Sequence, residues 1–588
     1  VSRKPPLRAR ALILLSILVG VVSGLGAFFF YTLLELSTKV FLTGMGGFEP
    51  YPASGDVEVL PWSFDSTNIP LFLIPAIGGL LSGILVYRFA PEAEGHGTDA
   101  VIRSFHRLKG DIRGRVPIIK TIASAITIGS GGSAGREGPI AQIGAGFGSA
   151  IGKILKLSDR DRRVLLICGV AGGIGSIFQS PLGGALFGIE VLYKRDYEVE
   201  ALIPAFTSSI VAYTVYDVIL GYTNHIPFGT LRIFSVPDLR IHSPLEMFLY
   251  LFLGVIAGVT GLLYIRSFYT IHDLFKKLKI TPYLKPAIGG LITGIIGMLI
   301  PGVMGMGYGY VQLAIDGRLA LSFIFAFIFA KIIATSFTIG SGGSGGVFAP
   351  SVVIGGMLGA LLGHFFNSII PDIVVTPESY VLVGMAAFVS AAAKTPMAAI
   401  IMVMEMSGGY NLLPALMVSS IVAYKITGNN SIYSEQVSTR VDSPAHRAEM
   451  LIDVLENVKV RDAMVPADKV ISVKPGMSVL ELLELIESTG HLGYPVIKNG
   501  HLIGIVTFED VERVPVEKRN DTKVEDIMTR ELIVTYPDEN LEEALKKLTS
   551  KNIGRLPVVS RDNSSLKGLI TRSDIMKAHA REILKIGK

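Results

Sequence analysis

A long internal repeat constrains this chain more than any other feature. Pro75-Ala-Ile-Gly-Gly79 returns as Pro286-Ala-Ile-Gly-Gly290, Lys120 as Lys331, and Ile128-Gly-Ser-Gly-Gly-Ser133 as Ile339-Gly-Ser-Gly-Gly-Ser344, each 211 residues later. Ser180-Pro181 through Glu190 is similar to Thr395-Pro396 through Glu405, 215 residues on. Apolar segments recur from residue 11 to residue 427. Many are shorter than the roughly 20 residues a simple membrane span requires, or are interrupted by Gly and Pro. Interrupted segments persist at membrane depth only where protein or a watery cavity satisfies the freed backbone groups. The pattern therefore predicts the interior of a transporter or pore, and an anchor would not need it.

Composition divides the chain. Mean hydropathy is +0.51 over 588 residues, which excludes both intrinsic disorder and a wholly soluble enzyme. Charged residues make up 43 of the 138 positions from 451 to 588 but only 60 of the 450 before them, so a soluble region follows a membrane region. The single cysteine, Cys168, excludes a disulfide framework and a Cys-based zinc site, and no metal site is expected. The net charge of +5 is dispersed, so no nucleic-acid partner is expected. The first ten residues hold Arg3, Lys4, Arg8 and Arg10, and the segment 103–115 holds five basic residues against Asp111. The corresponding stretches of the second half are balanced: Arg232 and Arg240 against Asp238 and Glu246, and Arg318 against Asp316. Positive charge favours the cytoplasm. The two halves are therefore expected to face opposite ways, with the basic N-terminal flank inside and the first apolar segment retained. Inverted repeats with broken helices place a substrate site near the midplane, at the repeat interface.

The densest chemistry lies in Gly129-Ser-Gly-Gly-Ser-Ala-Gly-Arg-Glu-Gly-Pro139 and its partner Gly340-Ser-Gly-Gly-Ser-Gly-Gly-Val-Phe-Ala-Pro350. Glycine lets backbone approach a ligand, and Pro suits the first turn of a helix. A helix start offers unpaired N–H groups and a positive dipole end to an anion. Two such turns from opposite sides would hold an anion weakly enough to release it. Glu137 sits inside the first turn; an ionisable group at this depth is a functional candidate, with capping of its own helix as the plain structural alternative. The second repeat has Phe348 at the matching position.

Gly-Arg-Glu-Gly-Pro at 135–139 and Gly-Val-Phe-Ala-Pro at 346–350 resemble the signature motifs of the CLC chloride channel and transporter family, over roughly 10–435. The resemblance implies that Glu137 is the gating glutamate, occupying the anion path when charged and leaving it when protonated or displaced. It implies that the backbone N–H groups of Val347 and Phe348, and the hydroxyl of Tyr433 in Ser431-Ile-Tyr-Ser434, contact the central anion. Taken alone, Tyr433 would read as a membrane-interface aromatic. Two departures stand out. Gly95-His-Gly-Thr-Asp99 places His96 where the family's first anion-binding turn usually has serine, so His96 is expected to line the inner anion site and to make transport or selectivity pH-dependent. In Leu186-Phe-Gly-Ile-Glu-Val-Leu192, Glu190 matches one acid of the family pattern, but Val191 stands where antiporters often carry an internal proton-transfer glutamate. Valine carries no proton, which leaves channel and antiporter nearly balanced.

The expected architecture is an α-helical polytopic membrane protein, an inverted-topology repeat with broken helices, followed by a C-terminal α/β region that resembles a tandem CBS domain. The membrane domain is placed at 1–435, with repeats at about 11–221 and 246–435. A linker is placed at 436–450 and the CBS pair at 451–588, with copies at about 458–515 and 522–582. In each copy a Thr and an Asp lie three apart at a strand-to-helix turn, Thr507 with Asp510 and Thr571 with Asp574. The resemblance implies an adenine nucleotide such as ATP there; helix capping is the alternative. The expected function is transport of chloride or a similar anion, as a channel or an H+/Cl− antiporter regulated by the CBS pair, and not an enzymatic reaction. The alternatives are transport of another anion such as nitrate and a membrane-anchored nucleotide sensor. The resemblance also implies a homodimer in membrane lipid at the cell surface, both termini cytoplasmic.

Overall fold

A computed structural model describes residues 7–586 apart from 8, 61–66, 68, 238, 447–454 and 563–564. Arg3, Lys4, Arg8, Asp238 and part of the expected linker therefore lie outside the described residues. The chain forms two units, Val1–Ala445 and His446–Lys588.

Among the described residues, the helices of the first unit fall into two sets of eight. The first set is α1 (Ala9–Thr38), α2 (Ile74–Phe89), α3 (Thr98–Arg107), α4 (Arg115–Gly129), α5 (Glu137–Ile154), α6 (Asp159–Ile177), α7 (Pro181–Glu190) and α8 (Leu202–Asn224). The second is α9 (Glu246–Lys277), α10 (Leu284–Leu299), α11 (Tyr308–Ile315), α12 (Leu321–Gly340), α13 (Phe348–Ile369), α14 (Ser379–Ala393), α15 (Pro396–Ser407) and α16 (Leu413–Ile426). Short helices start where the sequence tells them to: Pro181 and Pro396 occupy first-turn positions of α7 and α15, where a missing N–H costs nothing. Six helical stretches are long and apolar enough to cross a membrane. α3, α7, α11 and α15 are too short to do so.

The repeat is a pseudo-twofold, visible in contacts that occur in reciprocal pairs. Gly135 donates its N–H to Gly346 O at 2.8 Å, and Gly346 donates to Gly135 O at 2.6 Å. Ser124 and Ser344 hydroxyls meet at 2.9 Å, and so do Ser133 and Thr335. Thr127 donates to Ser82 at 2.8 Å, and Thr293 meets Thr338 at 2.8 Å. Each pair maps onto the other by the 211-residue shift. α2 and α10 cross with Gly79 against the Pro286 carbonyl and Gly290 against the Pro75 carbonyl. In lipid, where apolar contact brings little gain, such close backbone approach is what holds helices together.

The exposure pattern is inverted relative to a water-soluble fold. Leu14 is 67% exposed and Leu299 80%, while Lys120, Lys331 and Ser124 are fully buried. The outer apolar side chains suit acyl chains, and the polar groups are paired within.

The second unit is α/β. β2 (Gly493–Lys498) pairs antiparallel with β3 (His501–Thr507), and β5 (Leu566–Thr571) lies between β1 (Val465–Pro466) and β4 (Arg555–Val559). A Ser478–Glu481 capping box starts the helix Val479–Thr489, and Gly490 with φ +70° ends it. The two copies exchange segments. Leu455, Val460 and Ala463 pack in the core of the second copy with Leu541, Leu556 and Ile570. Val524, which follows the first copy, packs in the first core with Val479 and Val506.

The linker begins later than the sequence reading placed it. Residues 436–445 belong to the first unit. Gln436 donates to Val191 O at 2.9 Å and Ala393 O at 3.0 Å, and Ser443 meets His106 Nδ1 at 2.8 Å. Gln436 thus satisfies carbonyls at the ends of two helices, and Ser443 a buried histidine.

Substituting Ala for Gly79 drives a methyl group into the Pro286 carbonyl. The expected cost is about 1–3 kcal/mol, read as an earlier thermal midpoint in detergent. Gly114→Ala, where φ is −58° and nothing stands within 4 Å of the new methyl, should not shift it. Equal midpoints for the two variants would contradict this account of the helix crossing.

Candidate functional site

Both Gly-rich turns bend at a residue with positive φ, Gly131 at +93° and its repeat mate Gly342 at +101°, a region closed to most side chains. Each turn then delivers the start of a helix, α5 or α13, to the Gly135–Gly346 bridge. The first N–H groups of a helix have no partner within it, so two sets of donors converge on the pseudo-twofold axis.

Glu137 opens α5 and is 1% exposed. Its side chain is within reach of its own N–H, at the start of α5, and of the Phe348 N–H of α13. It crosses the axis, and Oε1 accepts the Ala349 N–H of α13 at 2.7 Å. Oε2 is buried with no hydrogen-bond partner. A Cβ at Gly135 or Gly346 would collide with this carboxylate, which explains the glycine at both positions. Tyr264, Tyr308 and Tyr433 are buried within electrostatic reach of Glu137. Phe348, its mate in the second repeat, also reaches the other half, its ring packed on Phe178 and Phe187 of the first repeat at centroid distances of 5.3 and 5.6 Å.

Two buried lysines brace the turns that precede α3 and α11. Lys120 Nζ donates to Ala93 O at 3.0 Å and Gly95 O at 2.7 Å; Lys331 Nζ donates to Val303 O at 2.9 Å and Gly305 O at 2.8 Å. A third buried cation, Arg136, lies between the Tyr31 and Tyr308 rings at 5.6 and 5.7 Å.

The structure brings Tyr433 and His96 together, with ring centroids 5.3 Å apart. Tyr433 rides a loop after α16 that is fixed from two sides. Asp99 accepts from Ser434 Oγ at 2.6 Å, Ser434 N–H at 3.2 Å and Glu435 N–H at 3.1 Å. Gln436 ties the same loop to the ends of α7 and α14. His96 is 6% exposed, its Nε2 3.4 Å from Asp99 Oδ2 and its Nδ1 without a partner. It lines a cavity of about 570 Å³ together with Arg103, Arg107 and His272. The Val347 carbonyl is within 3.4 Å of the Tyr264 hydroxyl.

Val191 is fully buried. Glu190 is committed elsewhere: its oxygens accept the Met397 and Ala398 N–H groups at 3.2 and 2.9 Å, at the start of α15. Glu405, at the end of α15, accepts from Leu182 N–H at 3.3 Å, Gly183 N–H at 2.9 Å and Ser180 Oγ at 2.5 Å, at the start of α7. The two half-helices thus cap each other. Sequence reasoning missed this, although the repeat had already aligned the two glutamates. It also gave no role to Asp99, the last residue of the His96 turn, or to Gln436, which carries no motif.

In the second unit, Asp510 Oδ2 accepts the Thr507 N–H and hydroxyl at 2.9 and 2.8 Å, and Asp574 Oδ2 accepts those of Thr571 at 3.0 and 2.6 Å. Both pairs act as caps in this state. Arg555, not singled out in the sequence, donates from Nη1 to Gly493 O at 2.7 Å.

The fold and this site define an intramembrane passage built from two inverted halves around one carboxylate. The profile of the voltage-gated chloride channel family matches residues 78–428, and that of the CBS domain matches 460–517 and 524–581. The chain belongs to the voltage-gated chloride channel family and carries two CBS domains. It is 28% identical over 434 residues to an H(+)/Cl(-) exchange transporter ClcA of Cronobacter sakazakii, covering 72% of this chain and 88% of that one. It is 30% identical over 434 residues to chloride channel protein CLC-e of Arabidopsis thaliana, covering 70% of this chain and 59% of that one. A slow cyanobacterial Cl−/H+ antiporter superposes with a TM-score of 0.62 at 23% identity, over 73% of this chain and 97% of that one. A eukaryotic CLC transporter superposes at 0.56 and 21% identity, over 96% and 97%. These two likenesses show the fold.

Replacing Glu190 or Glu405 by Ala leaves buried amides of the opposite half-helix unpaired. Each should cost about 1–3 kcal/mol, while Gln, whose amide oxygen still accepts, should cost less. Thermal midpoints in detergent measure this; an Ala variant as stable as wild type would remove the reciprocal-cap reading.

Proposed function

We propose that the protein moves chloride across the cell membrane in exchange for protons, through a path closed by the Glu137 carboxylate. One observation carries the reading: Glu137 lies on the Ala349 amide, at the helix start where an anion would bind, with Oε2 buried and unpaired. Ionised, it fills the anion's place; protonated, it loses the charge that holds it there. One group therefore ties proton uptake to anion passage. The exchange activity named for the Cronobacter relative agrees with this.

In this reading the N–H groups of Val347 and Phe348 and the hydroxyl of Tyr433 hold the anion at the axis, and His96 contacts it from the cavity side. The basic segment 103–115 supports a cytoplasmic setting for that cavity and for both termini. Two copies pair in the bilayer. A passive channel is the second reading, favoured by the valine at 191, and nitrate is the alternative cargo.

Proteoliposomes with an outward chloride gradient test the assignment. Wild type should draw protons inward against their gradient. Glu137→Gln should abolish proton movement, a loss of about tenfold or more, while chloride still moves. If Glu137→Gln keeps the wild-type proton-to-chloride ratio, Glu137 is not the coupling group. If wild type moves chloride and no protons, the channel reading replaces exchange.

The CBS pair regulates transport by binding an adenine nucleotide at Thr507, Asp510, Thr571 and Asp574, the Thr hydroxyls turning from their caps to the ligand. ATP titrated into the full-length protein in a calorimeter should give heat of binding, weakened about tenfold by Asp574→Ala, equivalent to ~1.4 kcal/mol. No heat with wild type would end the nucleotide assignment.

A further inference from the structure

A carboxylate that couples protons to anions needs a supply of protons from the cavity side, and the acids near the end of α7 cannot provide it. Both oxygens of Glu190 are bonded to amides of α15. Glu198 is held by the Tyr193 hydroxyl at 2.7 Å and by Arg440 at 3.4 Å. Both ring nitrogens of His106 are engaged, with Ser443 and the Leu192 carbonyl. Position 191 is apolar.

His96 differs in kind. It lines the 570 Å³ cavity, yet its Nδ1 is buried and unbonded. Tyr433 is also within electrostatic reach of Glu137, whose Oε2 is a second buried and unbonded polar atom. The His96 ring lies on Tyr433, and the His96 carbonyl lies against Gly138, the residue that follows Glu137. Asp99 faces Nε2 and is itself fixed by three hydrogen bonds from Ser434 and Glu435, which holds the ring in place. The other charged or titratable groups around the turn and its cavity, among the described residues, include Glu94 in the turn itself, Lys120 from α4, bound to the Gly95 carbonyl, Arg103 and Arg107 from α3, Glu137 from α5, Tyr269 and His272 from α9, and Tyr433. Phe268 of α9 closes the remaining side at 6.3 Å.

We propose that His96, oriented by Asp99, is the group that delivers protons from the cavity to Glu137. This rests on the exchange reading of Glu137. The imidazolium N–H breaks, the proton crosses on cavity water, and an O–H forms at Glu137 Oε2. His96 is left neutral and takes its next proton from water in the cavity. Anion and proton then share the last stretch of the path on this side, past Tyr433.

The same liposome assay tests the proposal with His96→Ser, which keeps a small hydrogen-bond donor and removes the titratable ring. The expected result is a proton-to-chloride ratio lowered about tenfold or more. An unchanged ratio in His96→Ser, with wild type exchanging, overturns the role of His96 and leaves the Glu137 reading intact. Wild type that moves no protons overturns both. Should His96→Ser stop both ions, chloride titrated into the purified variant in a calorimeter decides. Binding retained places the block in the proton step and supports the proposal. Binding lost makes His96 an anion ligand alone and overturns it.

Discussion

Two reciprocal peptide hydrogen bonds between Gly135 and Gly346 are the point about which the first unit is organised. They lie on the pseudo-twofold axis, so everything the repeat builds is built twice around them: the serine and threonine pairs, the braced lysines, the crossing of α2 and α10, and the mutually capped half-helices. None of these contacts depends on apolar attraction, which has little to offer between helices in a bilayer. Close backbone approach and paired polar groups do the holding. The same features leave two helix starts facing one spot with donors to spare, so the scaffold that holds the halves together also creates the site.

Function arises where the symmetry fails. The 211-residue correspondence holds for glycines, lysines and hydroxyls, and breaks at Glu137 and Phe348. One half sends a carboxylate across the axis; the other sends a ring, packed on Phe178 and Phe187 of the first half. A symmetric pair of carboxylates would repel at this distance in low dielectric. A single one reaches the opposite helix start without such repulsion.

The repeat, the broken helices and the turns around Glu137 were legible in the sequence because each leaves a mark in spacing or in glycine content. The division into a membrane region and an α/β region was legible from charge density. What could not be read were the partners of isolated polar residues. Asp99 and Gln436 look like ordinary surface residues in composition, yet they fix the Tyr433 loop, and 436–445 looked like linker for the same reason. Glu137 could be singled out, but not the helix it would reach, because Ala349 lies 212 residues away. His96 was legible as a departure from a familiar turn; its pairing with Asp99 and its unbonded nitrogen needed three dimensions.

The reciprocity between the halves sets a timetable for synthesis. When residue 135 leaves the ribosome, the residue that completes its hydrogen bonds is still 211 codons away. At about 5–20 residues per second, that is an interval of roughly 10–40 s. During it, the first half sits in the bilayer with its polar pairs incomplete: Ser124 lacks Ser344, Ser133 lacks Thr335, and Glu137 has no amide to rest on. A half of this kind is a poor resident of lipid and needs shelter from the insertion machinery until its counterpart arrives. The second half, arriving last, finds its partner waiting.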